Sequence, residues 1–88
     1  MAGGKSKDIN DQKIVESLLK ELRVNAGLRQ IDVASGLGIQ QSMVSKYEVG
    51  ERRLDILEIR ELCKLFGISL SSFIELLEDR LEGYNEAN

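Results

Sequence analysis

The chain has 88 residues, 42% of them apolar, with a net charge of −3, one cysteine, and neither histidine nor proline. That length suits one small domain with a modest core, and the lone Cys63 makes neither an intramolecular disulfide nor a zinc site, reading instead as a small buried hydrophobe. The missing histidine removes the commonest general base and metal ligand, and no apolar run reaches the ~20 residues of a membrane span, so no enzyme, metal, cofactor or membrane role is expected.

Residues 1–10, "MAGGKSKDIN", are polar and glycine-rich and read as a flexible arm without an apolar signal region, ahead of a helical domain over 11–82 and a polar tail over 83–88. The first helix is expected to begin after Asn10 or Asp11. Ile14, Val15, Leu18, Leu19 and Leu22 form its apolar stripe, and Gly27 is its stop. A second helix fits "QIDVASGL", with Val33, Ala34 and Leu37 inward and Gly36 costing about 1 kcal/mol against alanine. Gly38 ends it at a positive φ. A third helix covers roughly Gln41 to Val49, closed by Gly50.

Beyond the turn "GERRLD", Asp55 and Glu58 give the D-x-x-E signature of a capped helix, with Ile56, Ile59, Leu62, Cys63 and Phe66 as its apolar positions and Gly67 as its stop. Ser69 can cap a fifth helix carrying Leu70, Phe73, Ile74, Leu77 and Leu81 in register. Few aromatic and β-branched residues agree with this reading: an all-α, compact five-helix bundle.

Two short helices joined by a glycine turn form a helix-turn-helix. The window Gln30 to Val49 has the pattern, with small Ala34 at the crossing, Gly38 at the turn, and Val33, Leu37, Ile39, Val44 and Tyr47 as apolar contacts. In the third helix Val44 and Tyr47 share one face, while Gln41 and Ser45, and Ser42 and Lys46, are i, i+4 partners pointing the other way. Such a face suits base edges, because glutamine pairs with adenine, lysine with guanine and serine with either. An ordinary solvated face is the other reading of the same residues.

At this point the chain resembles the Cro/CI-type (XRE-like) helix-turn-helix repressor family, across roughly residues 15–78. The matching elements are "LR" before "GL-Q", then "A---LG", "V-K-E-G", "L-KLFGIS" and "SSF". The resemblance implies a lambda-repressor-like DNA-binding domain that works as a homodimer on a palindromic operator in double-stranded DNA. It implies base reading by Gln41, Ser42 and Lys46 with Gln40 and Ser45 beside them, phosphate contacts from Arg52 and Arg53, and for Gln30 either a phosphate contact or the bracing of a recognition residue. It also implies a structural ion pair between Arg23 and Glu48. Three positions depart from the pattern: Gln40 replaces the usual Ser or Thr cap, Leu54 a frequent proline, and Met43 a smaller polar residue.

Charge is compatible with phosphate binding at one end. Residues 1–53 carry nine Lys and Arg against seven Asp and Glu, whereas residues 54–88 carry three against eight. One helix-turn-helix reads only a few base pairs, so a dimer is expected, with Phe73, Ile74, Leu77 and Leu81 as its interface and the acidic Glu75, Glu78, Asp79 and Glu82 turned away from DNA. The expected function is sequence-specific transcription regulation, as a cytoplasmic repressor or small controller protein. The alternative is an antitoxin-type interaction module that neutralises a protein partner; a protein partner of either kind of regulator would be a toxin or a polymerase.

Overall fold

The computed structural model describes the backbone of residues 2–87 and the side chains of residues 11–83. Five helices follow one another without strands among the described residues: α1 (Ala2–Asn25), α2 (Gln30–Leu37), α3 (Gln41–Glu48), α4 (Ile56–Phe66) and α5 (Leu70–Ala87). The all-α, five-helix expectation is what the backbone forms. No described helix is long and apolar enough to cross a membrane, and no group of His, Cys, Asp and Glu suited to a metal ion occurs among the described residues.

The interior is drawn from every helix. Leu18 and Leu19 of α1 meet Val33 and Ala34 of α2, Val44 and Tyr47 of α3, Leu62 and Cys63 of α4, and Phe73 of α5, each at most 3% exposed. Burying each of the larger side chains contributes about 1.5–3 kcal/mol, which is how helices of eight residues, unstable alone, persist here. Cys63 is a buried free thiol whose pKa burial raises, as suits a packing residue.

Local chemistry sets most of the boundaries. Asp55 accepts the Glu58 backbone N–H at 2.8 Å while Glu58 accepts that of Asp55 at 2.9 Å, the reciprocal box read from D-x-x-E. Ser69 Oγ accepts the Ser72 N–H at 3.0 Å and starts α5. At α2 the box is only half made: Asp32 accepts the Arg29 N–H at 2.8 Å.

Several expectations need correction. The start of α1 expected after Asn10 or Asp11 moves to Ala2, because Asp11 does not cap: its Oδ1 is buried without a hydrogen-bond partner among the described residues. The stop expected at Gly83 is absent, and α5 runs to Ala87; Gly83 is not among the glycines at positive φ, and a helical glycine costs only about 1 kcal/mol. Side chains of the expected arm (1–10) and of the tail beyond Gly83 lie outside the described residues. Ile56 is 53% exposed and Ile39 38%, so neither joins the core; Ile56 is the first residue of α4, before the helix has closed on its neighbours.

Candidate nucleic-acid interface

The α2–α3 turn owes its sharpness to Gly38, whose φ of +69° is the left-handed conformation that penalises a Cβ. With Gly38 so placed, the Ile39 N–H returns to the Ala34 carbonyl at 2.9 Å, closing α2 and launching Gln40 as the extended residue before α3. Gln40 makes no side-chain capping bond, in keeping with its departure from Ser or Thr. Gly36 has a different reason: a Cβ there would stand 2.9 Å from Leu65 Cδ2, so its bare backbone lets α2 lie close on α4.

Val44 and Tyr47, 0% and 3% exposed, fasten α3 to the core by one side. The opposite side presents Gln41, Ser42 and Lys46 exposed to solvent, with Ser45 half-buried between them and Gln40 exposed at the helix entrance. Lys46 has no ion-pair partner among the described residues. The five residues expected to read bases thus lie together on α3 and its entrance, uncharged except for Lys46. Val49, 65% exposed at the end of α3, lies on the same side; its spacing from Ser42 and Ser45 (i+7 and i+4) was the available signal, and the apolar residue type hid it. Met43 is half-buried and lines a groove with Leu37, Leu54 and Leu62, so it covers the domain's own apolar surface. Leu54, where a proline is frequent, packs against the core from the same groove.

Glu48, the last residue of α3, is a junction. Arg23 of α1 donates to it from Nε at 2.7 Å and from Nη2 at 3.2 Å, and also gives Nη1 to the Leu28 carbonyl at 2.8 Å. Gln30, the first residue of α2, donates its amide N–H to Glu48 Oε1 at 3.0 Å. Three helices are therefore tied at the end of α3. The hydrogen bond from Glu48 raises the pKa of Arg23 against the opposing effect of burial.

The two loop arginines diverge. Arg52 donates from Nη2 to Glu58 Oε2 at 2.7 Å and lies beside Tyr47 and Leu54. Arg53 is exposed and borders a groove with Asp11, Gln12, Val15 and Leu81, while Arg52 also reaches the Gln12 and Val15 edge of α1. The bond from the Asp55 backbone, reinforced by Arg52, holds the Glu58 carboxyl below its ordinary range. The Arg52–Glu58 pair was not foreseen from the sequence, where Glu58 was read only as a cap.

On α5, Phe73 is 1% exposed and belongs to the core, which corrects its expected place at a dimer interface: as the largest residue of its stripe it is spent on the buried cluster of the monomer. Leu77 and Leu81 are half-buried, Ile74 is 37% exposed, and Leu76, not anticipated, is 38% exposed. Glu75, Glu78, Asp79 and Glu82 are exposed along the same helix, and Arg80 pairs with Glu21 of α1 at 2.6 Å.

This architecture has known counterparts. A helix-turn-helix family model matches residues 19–73, from the core of α1 to Phe73 in α5. An XRE-family like protein from Pseudomonas syringae pv. tomato str. DC3000 is 34% identical and superposes with a TM-score of 0.83, over 91% of this chain and 98% of that one. The cryptic phage CTXphi transcriptional repressor RstR of Vibrio cholerae is 26% identical over 66 residues; the match takes in 75% of this chain, which spans 60% of that repressor's length. The chain belongs to the XRE-type helix-turn-helix family.

Proposed function

We propose that the chain is a sequence-specific DNA-binding transcriptional regulator that acts as a homodimer on an operator with inverted half-sites. The observation that carries this reading is α3: pinned by Val44 and Tyr47, it offers Gln41, Ser42, Ser45 and Lys46 outward, beside Gln40. A solvated helix would be expected to carry Glu and Lys there, whereas amides and hydroxyls are the groups that pair with base edges in the major groove. The similarity to a transcriptional repressor supports the same reading.

In this arrangement Arg53 and Arg52, with Gln30 beside the start of α2, meet backbone phosphates and set the orientation of α3 without reading sequence. Glu48 keeps Gln30 and α3 in a fixed relation, so the phosphate register and the base register move together. A second copy docks through α5 with Ile74, Leu77 and Leu81, Phe73 being committed to the monomer core.

Selection of bound duplexes from a random pool tests this directly. Recovery of an inverted repeat with half-sites about ten base pairs apart, centre to centre, is the expected result. Failure to enrich any sequence, with weak binding even at low salt, would overturn it.

A further inference from the structure

We infer that Glu58 is a positioning residue that masks the charge of Arg52 and thereby lowers the chain's affinity for any DNA duplex; this rests on the DNA-binding reading above. Glu58 has two carboxylate oxygens, and the structure gives them different tasks. Oε1 accepts the Asp55 backbone N–H at 2.9 Å and completes the start of α4. Oε2 accepts Arg52 Nη2 at 2.7 Å. Capping alone asks for one acceptor and no charge, and a glutamine at this position of a capping box serves as well. The geometry of the cap is thus met without the charge of Glu58, whose field also falls on the loop arginine.

The pair is not a buried structural bridge. Its two side chains are 32% and 37% exposed, unlike Arg23 and Glu48 at 10% and 3%. An exposed pair contributes little to stability, yet it decides what field a phosphate meets at Arg52. With Glu58 ionised, the guanidinium and carboxylate approach the phosphate as a nearly neutral unit and release fewer counterions. Because the Asp55 N–H and Arg52 both favour the charged form, Glu58 stays ionised throughout the neutral range. Arg53 borders a groove with Asp11 but makes no ion pair among the described residues, so its charge is the less masked of the two. One arginine of the loop therefore meets phosphate with its charge partly cancelled.

The test uses the full chain, a short duplex of arbitrary sequence, and salt titrations of four proteins: the wild type, Glu58→Gln, Arg52→Ala and the double variant. Glu58→Gln keeps the cap and removes the charge. Its binding should be tighter at low salt, and the slope of log K against log salt should steepen by up to about 0.9, the limit of one further phosphate neutralised. Between 50 and 200 mM salt that limit amounts to about a 3.5-fold greater loss of affinity than the wild type shows. In the Arg52→Ala background the same substitution should leave the slope unchanged, because the effect passes through Arg52.

An unchanged or shallower slope in Glu58→Gln, with its thermal unfolding intact, overturns the inference. So does an equal steepening with and without Arg52, which would mean a general effect of removing one negative charge. A wild type that binds no duplex at any salt overturns the DNA-binding reading itself and this inference with it. That result is distinct from the slope results, which all require measurable binding.

Discussion

Glu48, at the end of α3, and Arg23, in the last turns of α1, form a two-point ion pair at 2.7 and 3.2 Å with side chains only 3% and 10% exposed. The guanidinium also holds the Leu28 carbonyl, so one side chain closes the α1–α2 connection and fixes α3. A pair removed from water to this degree offers little net gain over apolar residues, but either charge left alone is costly. Arg23→Ala and Glu48→Ala should each destabilise by about 3–5 kcal/mol in denaturant unfolding. Replacing both residues with apolar side chains of similar volume should recover most of the loss. If the single substitutions cost less than about 1 kcal/mol, the pair behaves as a surface bridge and the burial argument fails.

Tyr47 presents the opposite case, a polar group with nowhere to go. Its ring is 3% exposed and its Oη is buried without a hydrogen-bond partner among the described residues; burial also pushes its pKa above the ordinary tyrosine value. A buried hydroxyl that makes no bond costs about 1–3 kcal/mol, while the ring supplies the packing. Tyr47→Phe should therefore leave stability unchanged or raise it, by up to about 1–3 kcal/mol. A clear loss in thermal unfolding would show that the hydroxyl has a hydrogen-bond partner in solution.

The two glycines that frame the turn should respond differently to alanine. Gly38 sits at φ +69° with nothing within 4 Å of a prospective Cβ, so Gly38→Ala meets only backbone strain, about 1–2 kcal/mol. Gly36 is helical, and alanine there gains about 1 kcal/mol of propensity while its Cβ presses on Leu65 Cδ2, the mobile end of a side chain. The two effects at Gly36 nearly cancel. Equal losses for the two variants in chemical denaturation would contradict this separation.

Much of this was legible beforehand, for physical reasons particular to each element. Gln30–Leu37 and the start of α4 at Asp55 are bounded by chemistry local in sequence: a left-handed glycine and a reciprocal cap. The Arg23–Glu48 contact came from a resemblance, since nothing local joins those positions. The stripe on α5 identified which side of the helix is apolar, but not that Phe73 goes inward while Leu76 stays out; that division depends on where α1 and α4 lie. Likewise Gly36 reads only as a weak helix former until Leu65 is placed against it. Arg52 and Glu58 face each other across a loop–helix junction, for which no periodicity rule exists.

Acid should act on this protein through its carboxylates, because the chain has no histidine to titrate between pH 5 and 8. Glu58 has a folded pKa below its ordinary 4.5, from the Asp55 N–H and then Arg52; Asp32 lies below 3.8, chiefly from Arg29. A group whose folded pKa is depressed contributes stability above its unfolded value, and that contribution disappears as pH falls through the folded value. Stability should thus be nearly flat from about pH 7 to pH 5.5 and decline below about pH 4.5. In unfolding measured against pH, Glu58→Gln should lack its share of this acid decline. A wild type that loses stability between pH 7 and 5.5 would point to a group other than these carboxylates.

The interface residues divide by what they are asked to contact, and the division is measurable. Gln41 and Lys46 stand exposed on the outer side of α3, so Gln41→Ala or Lys46→Ala should cost about 1–3 kcal/mol on the selected operator and relax preference at particular base pairs. Arg53, unpaired among the described residues and off that face, should behave otherwise: Arg53→Ala should weaken binding to all sequences alike and reduce the salt slope by about 1. Arg52→Ala should do so by less, because its charge is already partly cancelled by Glu58. The decisive comparison is the base preference of each variant against its salt slope. If Arg53→Ala altered the preferred bases, or Lys46→Ala altered only the slope, α3 would not be the reading surface assigned to it.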